Sequence, residues 1–413
     1  MKIAKYSMGI GDRFGHQGSA QLTAFKMAGA QGIDVVPVWN KSNREHQIIG
    51  TSPGDVRVEA DVAVAAESWA GAYYVDADHI NNDNVDGFIE ASDFFTLDVA
   101  DFTGKPAADR DIEAFVDKHN RFTEPFSIDG IDGEFAVSKE EIAGVASKYL
   151  YAIQQAAEIY RKVEAAKGAE NFVTEVSMDE TDLPQTPLDM LFILAAISDE
   201  GIPAQTIAPK FTGRFNKGVD YVGDVEKFEK EFNDDLAVIR FAIREFSLLE
   251  NLKLSVHSGS DKFSIYEPIR KAIRKFDAGL HLKTAGTTWL EELIGLAEAG
   301  GSGLEIAKEV YSRSLDKFDA LCAPYATVID IDKNSLPTAE EVNGWNGETY
   351  ASTLRHDQSC GLYNSNFRQL LHVGYKVAAD MGADYLCALR DNADVVGRNV
   401  TDNILERHLL RVF

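Results

Sequence analysis

The sequence has little cysteine and few basic residues, and both shortages limit its class. Its three cysteines, Cys322, Cys360 and Cys387, stand far apart in 413 residues, which provides neither a disulfide framework nor a paired-cysteine metal site. A reducing cytoplasmic setting is therefore expected. Lysine and arginine number 41 against 66 acidic residues, a formal net charge of −25. A nucleic-acid partner is not expected, because phosphate binding needs a basic surface.

Long apolar runs are also lacking. The longest, such as residues 190–197, are too short to cross a bilayer, so we expect no membrane partner. Residues 1–9 contain basic side chains but no apolar stretch typical of a signal peptide. A hydrophobic content of 45% and a charged content of 26% are typical of a soluble globular protein.

Short β-forming segments alternate with segments of helical periodicity along most of the chain. This order predicts parallel βα units, and polar residues follow several of the strands, as in (β/α)8 barrels. We predict an α/β fold, a single TIM-barrel-like catalytic domain over residues 1–413. Within it, residues 100–137 are expected to form a lid or insertion and residues 322–365 a loop-rich segment. Extra helices are expected near the C-terminus.

The clearest strand end is in residues 252–263, which read L-K-L-S-V-H-S-G-S-D-K-F. An alternating strand gives way to an unbroken polar run that contains His257, Ser258, Asp261 and Lys262. In α/β folds the carboxyl ends of strands carry the ligand chemistry. An ordinary polar loop with a capping residue explains this stretch equally well on its own, but similar strand ends recur.

Residues 72–80 form an apolar strand that ends in Asp76, Asp78 and His79. Carboxylates beside an imidazole suit a divalent metal ion or acid–base chemistry. The alternative is that one of the aspartates caps the next helix. Histidine is a weak cap, which favours the functional interpretation.

Glu175 lies among β-forming residues in the stretch 171–181, so its side chain should point into the sheet or barrel interior. A buried carboxylate is unfavourable unless it is paired or bound to a metal. Glu175 is therefore a candidate ligand or general acid/base. Asp179 and Glu180, which follow, are interpreted as charges at a helix N-terminus.

Residues 279–287 read G-L-H-L-K-T-A-G-T, and His281 and Lys283 share one face of a short strand. A core histidine that makes one hydrogen bond is the usual alternative for His281. Imidazoles and carboxylates from separate strand ends, His79, Glu175, His257 and His281 among them, match a divalent metal site with mixed nitrogen and oxygen ligands.

Two stretches could hold an anion. The glycine-rich residues 8–18 include Asp12 and Arg13, although the glycine spacing does not match a dinucleotide fingerprint. Residues 204–221 suit a clamp for a carboxylate or phosphate. Their cations are Lys210, Arg214 and Lys217. A structural loop and a solvated basic patch are the respective alternatives.

Seven segments resemble the tagaturonate epimerase family, the tagaturonate/fructuronate epimerases of bacterial hexuronate catabolism. They run from near residue 9 to residue 375, and so cover most of the chain. They are G-I-G-D-R-F-G at 9–15, D-A-D-H at 76–79, E-V-S-M-D-E-T-D-L-P-Q-T-P-L at 175–188, G-V-D-Y-V-G-D at 218–224, L-S-V-H-S-G-S-D-K-F-S-I-Y at 254–266, L-H-L-K-T-A-G-T at 280–287 and Q-L-L-H-V-G-Y at 369–375.

The resemblance implies an isomerase that interconverts D-tagaturonate and D-fructuronate with a divalent cation (Mn, Zn, Ni, Co or Mg). Asp78 would be the base and Glu175 the partner acid, and His79, His257 and His281 would bind the metal. The candidate substrate-binding residues are Asp12, Arg13, Lys210, Arg214, Ser258, Asp261, Lys262 and Lys283. Among them, Lys210, Arg214 and Lys262 are the hypothesis for the substrate carboxylate. The partner is a small keto-sugar acid, and a homo-oligomer is compatible with the sequence.

The reaction leaves two mechanisms open. The inverted carbon is β to the ketone, so simple enolisation does not acidify its hydrogen. A retro-aldol cleavage followed by re-addition, or direct proton transfer by two groups on opposite faces, would invert it. The alternative functions are a metal-dependent aldolase, a keto-sugar isomerase or 4-epimerase on a related ketose, and a non-catalytic sugar-acid binding protein.

Overall fold

Eight parallel strands form a closed barrel in this computed structural model, which describes residues 1–284 and 286–413. Each strand pairs with the next one along the chain, and β8 pairs with β1. The strands are β1 Tyr6–Ile10, β2 Val36–Ser42, β3 Tyr74–Ile80, β4 Phe94–Asp98, β5 Val173–Ser177, β6 Thr206–Ala208, β7 Lys253–His257 and β8 Leu280–Lys283. The predicted TIM-barrel-like fold is confirmed.

Helices follow most of the strands and surround the barrel. Those between strands are α1 Gly18–Ala30, α2 Asn43–Ile49, α3 Pro53–Ala66, α4 Asp109–Lys118, α5 Lys139–Lys167, α6 Pro187–Asp199, α7 Val225–Glu245 and α8 Phe263–Lys275. Those after β8 are α9 Thr287–Ala299, α10 Gly301–Asp316, α11 Phe318–Cys322, α12 Ala339–Asn343, α13 Gly347–Leu354, α14 Ser365–Val373, α15 Tyr375–Met381, α16 Ala383–Asp391, α17 Ala393–Asp402 and α18 Leu410–Val412. The extra C-terminal helices were correctly predicted.

The barrel interior is apolar at one end and polar at the other. At the amino ends of the strands, Val38, Tyr74, Phe94 and Val173 pack together with Ile3 in a cluster separate from the core outside the barrel. Side chains two positions further along the same strands also point inward, because strand residues alternate between faces. Most of those positions are polar, and the functional site is built on them.

The two irregular segments lie in different places. Residues 100–137 contain α4 and a short bridge between Phe126 and Phe135, and α4 packs on α5 on the outside of the barrel. Residues 322–365 contain α12 and α13, and Tyr325 in this segment lines the cavity described below. A single domain over the whole chain stays a prediction. Among the described residues, no helix combines the length and apolar character that a membrane span needs.

A fully buried ion pair joins the barrel to the C-terminal helices. Asp261, in the loop after β7, accepts a hydrogen bond of 2.8 Å from Arg368 of α14. Arg368 also donates to the carbonyls of Leu354 and Gly218. Burial alone would raise the pKa of Asp261, but Arg368 and two buried histidines, one of them His356, hold it well below its usual range. Asp261, in the polar part of residues 252–263, therefore has a structural role: it connects the barrel to α14.

Replacing Arg368 by Met should lower the free energy of unfolding by about 3–5 kcal/mol, because it removes the guanidinium partner of a buried carboxylate. Urea unfolding followed by circular dichroism measures the change. Arg110→Met on α4 is the control, since this side chain is 87% exposed and its loss should change stability by less than about 0.5 kcal/mol. Equal stability of the two variants would contradict the anchoring role.

Candidate active site

A cavity of about 330 Å³ opens at the carboxyl ends of the strands. Asp78, His79, His257 and Lys283 face it from β3, β7 and β8. A second cavity of about 440 Å³ adjoins it and shares several lining residues, among them Asp179. The volume is in the range of small-ligand sites, and the carboxyl ends of barrel strands are where such sites occur.

Lys283 is the centre of a buried charge cluster below this cavity. Its ammonium lies 2.7 Å from Asp76 Oδ2, 2.9 Å from Asp78 Oδ1 and 3.2 Å from Glu175 Oε1. Thr96 Oγ1, 2.5 Å from the same ammonium, donates to the Asp76 carboxylate. Three carboxylates thus share one lysine, which leaves the cluster with excess negative charge.

The pKa values in the cluster follow from this shortage of positive charge. Burial, together with the neighbouring carboxylates, raises the pKa of Asp76 to about 7 despite Lys283. Burial also opposes ionisation of Asp78, but Lys283 and His79 prevail and lower its pKa to about 2. For Glu175, Lys283 and His257 likewise outweigh burial and hold the pKa well below its usual range. The three acids therefore divide between ionised and protonatable states near neutral pH.

Three residues beside this cluster could hold a metal ion. One ligand atom from each of His79, Asp179 and His257 lies within 4.8 Å of the others. The His79 and His257 rings meet edge to face, with centroids 5.0 Å apart. His257 Nδ1 is 3.2 Å from Asp179 Oδ1, yet the two atoms do not make a well-directed hydrogen bond. Two ligand atoms that face each other in this way fit a shared cation.

The remaining ring nitrogens have carboxylate partners, as is usual for metal-binding histidines. His79 Nδ1 lies 3.1 Å from Asp98 Oδ2, and His257 Nε2 lies 2.8 Å from Glu175 Oε1. Although burial lowers the pKa of His257, Asp179 and Glu175 raise it to about 9. The negative charge that attracts a proton here also attracts a metal ion, whose binding would release that proton.

The backbone at His79 is unusual and explains how its side chain reaches the cavity. Its φ is +51°, in the left-handed region, and the pairing of β3 with β4 shifts register between Ala77 and Ile80. Adjacent strand residues normally point to opposite faces, but this bulge lets Asp78 and His79 both face the cavity. Strain of this kind is typical of functional sites.

The structure places His281 outside the group of possible ligands. β7 pairs with β8 so that Lys283 is level with His257, which puts His281 one layer deeper in the barrel. Its Nδ1 lies 2.9 Å from Ser7 Oγ, and its ring packs against Phe94. The structure therefore does not bring together the three histidines that the resemblance implied as ligands.

The predicted substrate-binding residues divide into two groups. Arg13 and Lys283 line the first cavity, and Lys210 and Ser258 line the second. The others make structural contacts: Asp12 accepts from the backbone of its own loop, Asp261 from Arg368, Lys262 bonds Ser260, and Arg214 pairs with Asp330. For the substrate carboxylate, the three-cation set of Lys210, Arg214 and Lys262 is not assembled at one place.

Sequence reasoning missed several residues of the cavity. The sequence predicts a helix-terminal charge for Asp179, although this residue lies only two positions after the end of β5, which is a usable signal. Arg44 lines both cavities from the start of α2 and carried no motif. Lys217, by contrast, is one of the cations of the predicted anion clamp. It lines both cavities as well, and the Cβ that Gly259 lacks would lie 3.6 Å from its ammonium. His372 belongs to the family segment 369–375, to which no role was assigned, and it also lines the first cavity.

Comparison with known proteins decides the family. The sequence model of tagaturonate epimerase (UxaE) matches residues 1–396. The chain belongs to the tagaturonate epimerase family. The resemblance detected in the sequence and the predicted class of enzyme, an epimerase and hence an isomerase, are confirmed.

Relatives of this tagaturonate epimerase family member agree with the assignment. The tagaturonate/fructuronate epimerase of Thermotoga maritima is 29% identical over 388 residues, which cover 89% of this chain and 72% of that protein. The crystal structure of fructuronate-tagaturonate epimerase UxaE from Cohnella laeviribosi with one glycerol is 22% identical. It superposes with a TM-score of 0.80 and covers 99% of this chain and 82% of its own, which shows a shared fold.

Asp179→Asn should weaken the binding of Zn²⁺ or Mn²⁺ by more than about 100-fold, because even the partners of metal ligands commonly contribute 10–100-fold. Isothermal titration calorimetry on chelator-treated protein measures the affinity. Glu180→Gln, a change of the neighbouring acid outside the triad, is the control. Unchanged affinity in Asp179→Asn would remove this aspartate from the site.

Proposed function

We propose that the protein interconverts D-tagaturonate and D-fructuronate in the 330 Å³ cavity, with a divalent metal ion held by His79, Asp179 and His257. The observation that carries this proposal is the placement of Asp78 and Lys283 directly beside that triad, in one cavity. A bound divalent ion would act as a Lewis acid toward negative charge that develops on substrate oxygens. Mn, Zn, Ni, Co and Mg remain the candidates.

Cationic and aromatic groups line the cavity together with the acidic, metal-binding residues. Lys217, Arg44 and Arg13 line it, the guanidinium of Arg44 lies 5.2 Å from the Tyr325 ring, and that of Arg13 lies 4.2 Å from the Tyr375 ring. We assign the substrate carboxylate to Arg44 and Lys217, because the charge of Arg13 is already offset by Glu45, 3.2 Å away, although its Nε and Nη1 make no directed hydrogen bond to the described residues. The keto and hydroxyl end of the substrate would then face the triad.

Retro-aldol chemistry suits this arrangement. Asp78 takes the hydroxyl proton from the inverted carbon while the bond to the neighbouring carbon on the ketone side breaks, and the bonding electrons pass into an enediolate. The aldehyde turns over, the bond re-forms on its other face, and Asp78 returns the proton to the oxygen. When Asp78 is protonated, Lys283 keeps two carboxylate partners, Asp76 and Glu175, so its charge stays paired.

Direct proton transfer at carbon would need a second group on the opposite face of the substrate. Glu175, the candidate acid, is fully buried behind His257 and Lys283, and its Oε1 contacts both of them. This position favours a role for Glu175 in orienting His257 rather than in contacting substrate. It therefore supports the retro-aldol route.

Conversion of D-tagaturonate in D₂O, followed by NMR with and without added metal after chelation, tests the function and the route together. Fructuronate should form only with metal, and the inverted carbon should keep its hydrogen. Deuterium at that carbon would establish direct proton transfer instead. Accumulation of three-carbon fragments would indicate an aldolase, and binding without turnover would indicate a sensor.

Asp78→Asn should lower kcat by about 10²–10⁴-fold, the range of a general base, with little effect on metal binding. Steady-state kinetics and calorimetry separate the two effects. Asp83→Asn, an exposed aspartate in the loop after β3, provides the matched control. A normal kcat in Asp78→Asn would show that Asp78 is not the base.

Lys217→Gln should raise KM by about 10–100-fold, since a charge-assisted hydrogen bond is worth about 1.5–3 kcal/mol. The initial rates of the reaction at varied tagaturonate concentration give KM. Lys227→Gln on α7, where the side chain is 58% exposed, removes the same charge from a position outside the cavity. If both variants raise KM equally, the effect is one of overall charge and the assignment of the carboxylate fails.

A further inference from the structure

A line of buried polar groups runs through the barrel below Lys283, and the proposed chemistry does not use it. The ammonium of Lys253 lies 2.9 Å from Ser7 Oγ, and Ser7 Oγ lies 2.9 Å from His281 Nδ1. All three side chains are at most 2% exposed. Such groups are unfavourable in a barrel core unless each finds partners, so their arrangement needs an explanation.

The direction of these hydrogen bonds follows from the acceptors around Lys253. Its Nζ also lies 2.6 Å from the carbonyl oxygen of Ala4 and 3.2 Å from that of Lys5, and carbonyls only accept. The third N–H of the ammonium then donates to Ser7 Oγ. The Ser7 hydroxyl in turn donates a hydrogen bond to His281 Nδ1. The proton of the neutral imidazole must therefore be on Nε2.

If the hydrogen bonds ran in the opposite direction, Lys253 would have to be neutral and accept a hydrogen bond from Ser7. Burial lowers the pKa of Lys253 to about 7 even though the carboxylate of Glu175 opposes that shift, so the charge of Lys253 alone does not fix the direction. In the reversed chain the lone pair of His281 Nε2 would face the same carboxylate. The charge of Glu175 thus selects the direction that starts from the ammonium.

Four polar side chains on the neighbouring strands β5 to β8, all in the described part of the chain, each have an atom without a partner in the same part of the barrel interior. Among the described residues, His281 Nε2, Glu175 Oε2, Thr206 Oγ1 and Ser255 Oγ are buried and have no hydrogen-bond partner. The strand register pairs Glu175 with Thr206 and Ser255 with His281, so that all four side chains point into the barrel. An internal water molecule typically makes about three hydrogen bonds to buried polar groups of this kind.

We propose that His281 is a positioning residue, which donates its Nε2–H through one internal water molecule to Glu175, at the end of a chain that starts at Lys253. The inference rests on the proposed function only in taking Glu175 to orient His257. The chain holds Glu175 Oε2 in place, so that Oε1 stays directed at His257 Nε2, 2.8 Å away. Burial also lowers the pKa of His281 well below its usual range, which agrees with a neutral ring.

Long-range proton–nitrogen NMR of the ¹⁵N-histidine-labelled full chain reads the tautomer directly. Nine histidines contribute signals, and those of His281 are the ones missing in His281→Gln or, if that variant does not fold, in His281→Phe. We expect the neutral Nε2–H form before and after Zn²⁺ is added, while His79 and His257 shift with the metal. An imidazolium, the Nδ1–H form or a Zn²⁺-induced coordination shift at His281 would overturn the proposal.

Variants of Ser7 test the consequence for catalysis. Ser7→Ala breaks the chain, so we expect a mixture of His281 tautomers and about a tenfold lower kcat at unchanged KM, whereas Ser7→Thr restores both. Ser92→Ala, a buried serine in the loop before β4, should change neither quantity. A lower kcat with the His281 tautomer unchanged would show a packing defect and contradict the proposal. If Ser7→Ala does not fold, the NMR spectrum of the wild-type protein still shows which tautomer His281 adopts. That measurement does not depend on epimerase activity.

Discussion

The sharing of one ammonium by three buried carboxylates is the constraint on which the site depends. Lys283 cannot fully neutralise Asp76, Asp78 and Glu175, and a buried charge without a partner is strongly unfavourable. The cluster therefore needs further cations, and the side chains around it supply places for them. A metal ion at the histidine–aspartate triad and a hydrogen bond from the layer below would both reduce the same imbalance, which links binding, chemistry and barrel stability.

The fold could be predicted from the sequence because its signals are local. Alternating β-forming and helical segments indicate parallel units, and the polar residues after β3, β5, β7 and β8 indicate the end at which the site lies. Asp78, His79, Glu175 and His257 were found in this way, since each is at or near the end of a strand. Membership of the family followed from long motifs such as residues 254–266.

The site residues whose positions or roles the sequence did not predict depend on contacts between distant parts of the chain. Strand register places His281 one layer below His257, and no periodicity in the sequence gives the register between two strands. Asp261 and Lys262 belong to the most distinctive motif, but distant residues such as Arg368 determine that they are structural. Asp179 was overlooked because a carboxylate after a strand resembles a helix cap. Arg44 becomes important only when the fold brings it to the same cavity as Lys217, one of the predicted anion-binding cations.

The left-handed backbone conformation of His79 in β3 has a consequence for how such a site could arise. A regular strand presents every second residue to the barrel mouth, so a base and a metal ligand in adjacent positions cannot both be presented there. Point substitutions alone would not bring Asp78 and His79 to one side. The change in register requires one additional residue in the strand. Among barrels of similar topology, that single-residue insertion is therefore a more informative marker of ancestry than the identity of either side chain.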